Sequence, residues 1–503
     1  MKNYILKRPM LLSAMLCVLI SIIGFYSGAA AATLGIFYAV LVGVLIFKGS
    51  GVKATFAVAL SILVLVSLLI TLGKASALSR YNGVKYTAKA VVCEIDRNTD
   101  GYNSAVFQIK DTASPLNDEK IYGFYSPADL KIGQIVTADF KFSAIDEGYK
   151  ASSYSKSIFL TANLSNMEII KGENDILLTA VESVRSYISE TLFSNMGYNK
   201  AATMTALVSG DTDYFSQEFY SNVKSAGVSH VMVVSGMHLS VLVLFVLKIT
   251  EIFGYNRFVR AFTMLAVVLI LTSVCGFTMS ILRAGITYLL MAIALLIDRE
   301  GVPVNSLAAA VVIILIASPF AIFSVAFQLS VLSTLGILAV AIPIIKYFES
   351  RNIIRYKFLN ACFSAAVITL SAMLLTLPIS IYVFGYVSTV AVISNLLIGY
   401  AVTLALSIGI LALFINLVFS PLARLLFMLC EVIVKYINSV INYLGSRTFS
   451  TVTLPKWTAF LSAGAIILIF YLLLTCKKRI DMIKLNKIRE KTEKERGKGL
   501  KWQ

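Results

Sequence analysis

Charge is scarce in this 503-residue chain: Asp, Glu, Lys and Arg make up 14% of it, against about a quarter in a typical soluble domain. Histidine occurs only twice, at His230 and His238. Cys17, Cys275, Cys362, Cys430 and Cys476 sit in apolar runs, and Cys93 stands alone in a polar one. With no C-x-x-C spacing, neither a disulfide framework nor a thiolate metal centre is expected. No G-x-x-x-x-G-K-[ST] stretch occurs, which excludes a P-loop motor within the chain. What is abundant is apolar: 58% hydrophobic residues and a mean hydropathy of +0.82. Together these figures exclude a soluble enzyme, a disordered protein and a secreted disulfide scaffold. They leave a polytopic membrane protein with room for one modest soluble domain. The net charge of +17, from 44 Lys+Arg against 27 Asp+Glu, is the excess that cytoplasmic loops and tails carry, and does not by itself imply nucleic acid.

Residues 1–74 read as an N-terminal membrane segment. Its apolar runs at 9–27, 30–47 and 54–73 are each long enough to cross ~30 Å of hydrocarbon. Lys2, Lys7 and Arg8 followed by the alanines at 29–32 resemble a signal peptide, but further spans follow at once, so an uncleaved first helix is expected. Lys48 and Lys53 put their loop in the cytoplasm, so the third span exits outward. Residues 75–172 change character. Period-two alternation recurs through Val84, Tyr86, Ala88, Ala90 and Val92, through Ala105, Phe107 and Ile109, and through Val136, Ala138, Phe140 and Phe142. With further strands at 119–125 and 157–169, and turns such as NTDGYN and SPLNDE, this predicts a small extracytoplasmic barrel of the OB type, with a sandwich as the alternative. Its aromatics, among them Tyr86, Tyr102, Tyr122, Phe124 and Tyr125, suit a barrel core or a base-stacking face. Its near-balanced charge argues against strong unaided binding to a phosphate backbone.

Residues 173–228 predict amphipathic interfacial helices, the first capped by Asp175. From 229 to 476 the chain is a membrane domain, with spans expected near 229–253, 257–276, 278–297, 303–318, 322–345, 358–384, 391–418, 425–445 and 457–475. In 425–445, Glu431, Lys435 and Asn438 leave open an interfacial helix instead of a span. Alternation places Arg257, Arg260, Lys346, Arg351, Arg355, Lys357 and the basic tail 477–503 in the cytoplasm. The whole is a polytopic α-helical plasma-membrane protein of about twelve spans, both termini cytoplasmic, with the small β-barrel inserted after the third span.

Polar residues inside spans are costly and face cavities or partner helices. Ser235, Gly236 and His238 lie at the outer start of a span, just after His230. A Ser235–His238 pair three apart on a helix could be the nucleophile and base of an intramembrane hydrolase, or simply a hydrogen-bonded helix start. Two histidines and Asp211 or Asp213 make a poor metal site, and no metal or other cofactor is expected. Arg283 either snorkels to the interface or faces an anionic substrate. Gln328 and Ser330 share a span, Asn395 lies in another, and Gly276, Pro319 and Pro378 interrupt the segments. Polar groups on broken helices suggest a pathway. The tail reads mainly as an anchor near anionic lipid.

The stretches SGDTD at 209–213 and AGVSHVMVVSGMHLSVL at 226–242 resemble the ComEC family of competence proteins. So do Ser280, Arg283 and Ala284 as S-x-x-R-A, FQLS at 327–330, and FGYVS at 384–388 followed by Asn395. The resemblance covers nearly the whole chain. It implies a membrane channel for single-stranded DNA in natural transformation, not an enzyme. It also implies a cytoplasmic helicase or other motor, an outer DNA receptor and the lipid bilayer as partners. Many members end in a metallo-β-lactamase-like domain. No histidine follows His238 here, so the expectation is a short form served by a separate nuclease. Asp211, His230, Ser235, Gly236, His238, Arg283, Gln328, Ser330 and Asn395 are the candidate pathway residues. A transporter of another anionic polymer remains the alternative to the channel, beside the hydrolase.

Overall fold

In the computed structural model, residues 9–27, 51–96, 103–111, 114, 116–126, 130–232, 234–298, 302–351, 353–354 and 356–469 are described. The expected span 30–47, Tyr102, Arg355, most of NTDGYN and the tail 477–503 lie outside them.

The alternating stretch closes on itself. Strands β1 (Lys85–Asp96), β2 (Asn103–Ile109), β3 (Lys120–Tyr125), β4 (Gln134–Ser143) and β5 (Leu160–Asn174) form a closed barrel in the order β1–β2–β3–β5–β4. All neighbours are antiparallel except β3 and β5. Five strands in this Greek-key order agree with the OB-type expectation. The period-two set is what fills the interior: Ala88, Ala90, Val92, Ala105, Phe107, Ile109, Val136, Ala138, Phe140 and Phe142 are all buried. Most of the aromatics are therefore core, while Phe124 stays exposed. A short helix, α3 (Glu147–Ser155), joins β4 to β5.

Before the barrel run α1 (Pro9–Ser27) and α2 (Gly51–Leu78). They share one buried cluster with α10 (Pro303–Ala317) through Ala14, Cys17, Val64, Leu68, Val311 and Leu315. Tyr154 of α3 and Phe25 of α1 both pack on Phe320 of the 3-10 turn Pro319–Phe323, at ring-centroid distances of 5.5 and 5.6 Å. The barrel thus seats on the connection that follows α10.

After the barrel come α4 (Ile176–Asn195), α5 (Tyr198–Ser209) and α6 (Gln217–Ser225). Asp175 caps α4 as expected, accepting from the Leu178 amide at 3.0 Å. Helix α5 does not lie along a surface: residues 201–209 are all buried. It is held against α14 (Ala391–Asn416) and α15 (Ser420–Gly445). Two of the three polar residues of α15 that suggested an interfacial helix, Glu431 and Asn438, are fasteners instead, together with Asn442. Lys200 reaches Glu431 at 2.6 Å, Thr203 reaches Asn438 at 3.0 Å and Asn222 reaches Asn442 at 3.1 Å. Helix α15 is accordingly continuous over 420–445 and apolar enough to cross a membrane.

Helices α7 (Gly236–Ile252), α8 (Arg257–Val274) and α9 (Met279–Leu296) form a separate buried cluster around Leu239, Val243, Met264, Val268 and Ile281. Helix α11 (Val325–Gly336) runs through a π-helical turn at 337–341 into α12 (Ile342–Ser350) and packs along α13 (Lys357–Phe384). Pro343 follows that turn, and the Gly336 α-carbon rides on the Ser371 carbonyl, where a Cβ would come within 2.3 Å. Strands β6 (Tyr386–Ser388) and β7 (Thr451–Thr453) pair antiparallel, and α16 (Trp457–Ile469) follows. Among the described residues, seven helices are long and apolar enough to cross a membrane, with α1, α10 and α16 shorter apolar helices. The expected span 229–253 is broken: a single turn at Ser229–Met232 precedes α7, and Ser235 between them is extended.

Candidate functional site

Three helices begin near one another after breaks that the sequence marks with glycine, serine or proline. Helix α7 begins after Ser235, α9 after the turn at Cys275–Thr278 with Gly276 at φ 76°, and α11 after the 3-10 turn at Pro319. Helix starts leave amide donors unsatisfied, so whatever lies among them meets a positive environment.

At the first start, Ser235 and His238 form a capping box, with histidine where glutamate or glutamine is usual. The Ser235 amide donates to His238 Nδ1 at 3.1 Å, and the Met237 amide donates to Ser235 Oγ at 3.3 Å. An amide can only donate, so Nδ1 is the acceptor nitrogen and the proton resides on Nε2. His238 is buried, and its Nε2 has no hydrogen-bond partner among the described residues. Ser235 Oγ lies 3.2 Å from the same Nδ1. The single in-plane lone pair there already receives the backbone amide, so the pair is a helix cap more than a nucleophile and its base. His230 lies on the isolated turn that precedes α7.

At the second start lies Arg283, one turn into α9 and only 8% exposed. Its Nε donates to Ser330 Oγ at 2.7 Å, and Ser280 Oγ donates to the same oxygen at 3.1 Å. Among the described residues no carboxylate pairs with it. Gly236 is the neighbour that makes room: a Cβ there would lie 3.0 Å from Arg283 Nη2 and 3.1 Å from Ala284 Cβ. Arg283, Ser330 and Gly236 are therefore brought together, as is Ser280, which sequence reasoning placed in a motif but not among the pathway residues. Its spacing of three from Arg283 on one helix face was the available signal.

The other candidates are placed apart. Gln328 Nε2 donates to the Ile322 carbonyl at 2.7 Å, closing the 3-10 turn. Asp211 Oδ1 accepts the Asp213 amide at 2.9 Å, in a loop that Gly210 opens at φ 83°. Asn395, in the first turns of α14, buries an Oδ1 with no partner among the described residues and makes no hydrogen bond to the Arg283 group. A residue sequence reasoning passed over is Gly227. At φ 71°, its missing Cβ would sit 2.7 Å from Ser388 Cβ and 2.6 Å from Ala391 Cβ. Ser388 Oγ donates to the Ser225 carbonyl at 2.8 Å. The segments AGVSH and FGYVS, far apart in sequence, thus fasten to each other. Among the described residues no three His, Cys, Asp or Glu side chains gather as a metal site would require.

A family model described as "Competence protein" matches residues 207–479, more than half of the chain. The match begins inside α5, so the barrel lies before it. The protein named "ComE operon protein 3" of Bacillus subtilis (strain 168) is 23% identical over 300 residues, 59% of this chain and 37% of that protein. The match thus spans well under half the length of that relative. No solved structure matches the chain.

Proposed function

The chain belongs to the competence protein family (ComEC), and from that premise we propose that it is a multi-pass membrane conduit for single-stranded DNA during natural transformation. The observation that carries this reading is the buried Arg283 guanidinium, set among helix starts with hydroxyls and, among the described residues, no carboxylate paired with it. A cation buried without a counterion is costly inside a membrane domain, and a polyanion passing it supplies that counterion.

The proposed topology follows from shared faces. The turn 319–323 is on the barrel's side through Phe320 and Tyr154, and β6–β7 joins the connections at 385–390 and 446–456. With the barrel outside, the basic connections holding Arg257, Arg260, Lys346, Arg351 and Lys357 face the cytoplasm, in agreement with positive-inside charge placement. Both termini would then be cytoplasmic. The sequence contains no P-loop, so strand movement is assigned to a separate cytoplasmic motor or helicase. An outer receptor and a separate nuclease complete the proposed partners. The capping role of Ser235 leaves the hydrolase alternative without support, and we assign the chain no catalytic step.

The test is transfer of end-labelled DNA into a DNase-protected pool in competent cells. Deleting the gene should abolish that pool, and Arg283→Ala should reduce it at least ~10-fold, the scale of one charge-assisted contact to phosphate. Surface-bound DNA should not change. A protected pool that persists without the gene would remove the DNA-conduit reading and leave another anionic polymer as cargo.

A further inference from the structure

We infer that Arg283, Ser330 and the Gly236 amide form a seat for a single phosphodiester anion, and that Gly236 sets its aperture. The inference deepens the conduit reading and rests on it only for where the anion comes from.

Count the donors. The guanidinium carries several N–H groups, and among the described residues only Nε finds an acceptor, Ser330 Oγ. Ser330 Oγ accepts from both Arg283 and Ser280, so its lone pairs are committed and its own proton is left to donate. The Gly236 amide, first in α7, has no acceptor among the described residues. Arg283 Nη2 lies against Gly236 at the start of α7, where a Cβ would be only 3.0 Å from it. Among the described residues no carboxylate pairs with Arg283. Every local field also disfavours the bare cation: it is 8% exposed, stands near the start of its own helix, and faces the start of α7. An arginine that merely snorkelled would hold its head in the interface, whereas this one is hydrogen-bonded across to another helix. A tetrahedral oxyanion with one negative charge satisfies all three donor sets, and planar guanidinium matches two of its oxygens.

The aperture argument is steric. Any side chain at 236 puts a Cβ 3.0 Å from Nη2 and 3.1 Å from Ala284 Cβ, filling the space the anion would use. The seat recognises backbone phosphate and reads no base, so transit past it is independent of sequence.

The probe is dimethyl phosphate, followed by phosphorus NMR line broadening on the full chain in non-ionic detergent. The wild type should broaden the signal, Arg283→Gln should lose the broadening and Gly236→Ala should reduce it, at unchanged chloride concentration. No broadening by the wild type overturns the inference without any variant. Broadening that survives Arg283→Gln in a monodisperse preparation overturns it as well. Two competitors identify the source. Displacement by oligothymidylate but not by short-chain phosphatidylglycerol supports the seat on a nucleic-acid path. Displacement by the lipid alone keeps the seat and overturns the conduit reading at this residue. Loss of DNA uptake on deleting the gene, with no phosphate binding, keeps the conduit and overturns the seat.

Discussion

At the scale of single residues, what matters most here is which polar atoms are satisfied and by what. Asp139 on the barrel is the clearest satisfied case. Its carboxylate accepts from the Thr87 hydroxyl, from Lys85 Nζ at 3.0 Å and from Asn166 Nδ2 at 2.9 Å. The Thr87, Lys85 and Asn166 hydrogen bonds hold its pKa down at about 2. A carboxylate lowered on folding adds stability that is complete above its unfolded-state value and is lost as pH falls through the folded one. The barrel should therefore loosen between about pH 4 and pH 2. Hydrogen exchange of strands β1 and β4 in the full chain should accelerate across that window, and Asp139→Asn should flatten the acceleration. An unchanged acid profile in that variant would show the bonds to be inconsequential. Lys110, raised by its bond to Asp118 at 2.8 Å, stays charged throughout and contributes nothing to this transition. Arg283 and His238 are the opposite case, with donors left over after the acceptors among the described residues are counted, and such leftovers are where a ligand is sought.

At the scale of elements, α15 explains why polar residues in an apolar run are ambiguous. Glu431, Asn438 and Asn442 give the helix a polar flank that reads equally as headgroup-facing or partner-facing. Only the position of α5 and α6 decides it, because Lys200, Thr203 and Asn222 are what those side chains reach. The buried face, Ala423, Phe427, Cys430, Val434, Ile437 and Ile441, keeps a helical spacing, and Leu425, Met428, Leu429 and Val432 on other faces are exposed apolar residues. Helix α15 ends on Gly445, where a Cβ would come within 2.3 Å of the Asn222 carbonyl oxygen. Gly445→Ala must push α6 away from α15, at a cost of about 1–3 kcal/mol for an overpacked contact. The variant should lower the unfolding midpoint of the purified protein. A midpoint equal to wild type would mean the crossing relaxes freely. Helix α7 shows the same limit from the other side. The apolar run from 229 to 253 is long enough for one span, yet the reciprocal cap at Ser235 starts the helix afresh and leaves His230 on a separate turn.

At the scale of the molecule, Phe320 with Tyr154, and β6 with β7, each tie widely separated segments together. The proposed topology makes the barrel and α3 external. In a Cys93→Ser background, cysteine introduced at Tyr149, 70% exposed on α3, should react with an impermeant maleimide in intact cells. Cysteine at Phe253, also 70% exposed, should react only after lysis. Equal labelling of both in intact cells would refute the orientation.

By itself, the sequence determined the classes of segment. Period-two alternation specified the barrel strands and their inward faces, because side chains on a strand alternate whatever the strand pairs with. Long apolar runs specified helices suited to a bilayer, because the peptide groups must be satisfied within each segment. The motifs at 209–213, 226–242 and 280–284 were enough to mark the family and most of the candidate residues. Tertiary structure alone decided which of them meet. Ser330 stands 47 positions beyond Arg283 and Gly236 stands 47 before it, and Gln328, in the same motif as Ser330, turns to a backbone carbonyl instead. Spacing along one helix reports only its own face. Whether a polar side chain there finds a ligand, a neighbour or lipid depends on the helix packed opposite, and that is a property of the assembled bundle.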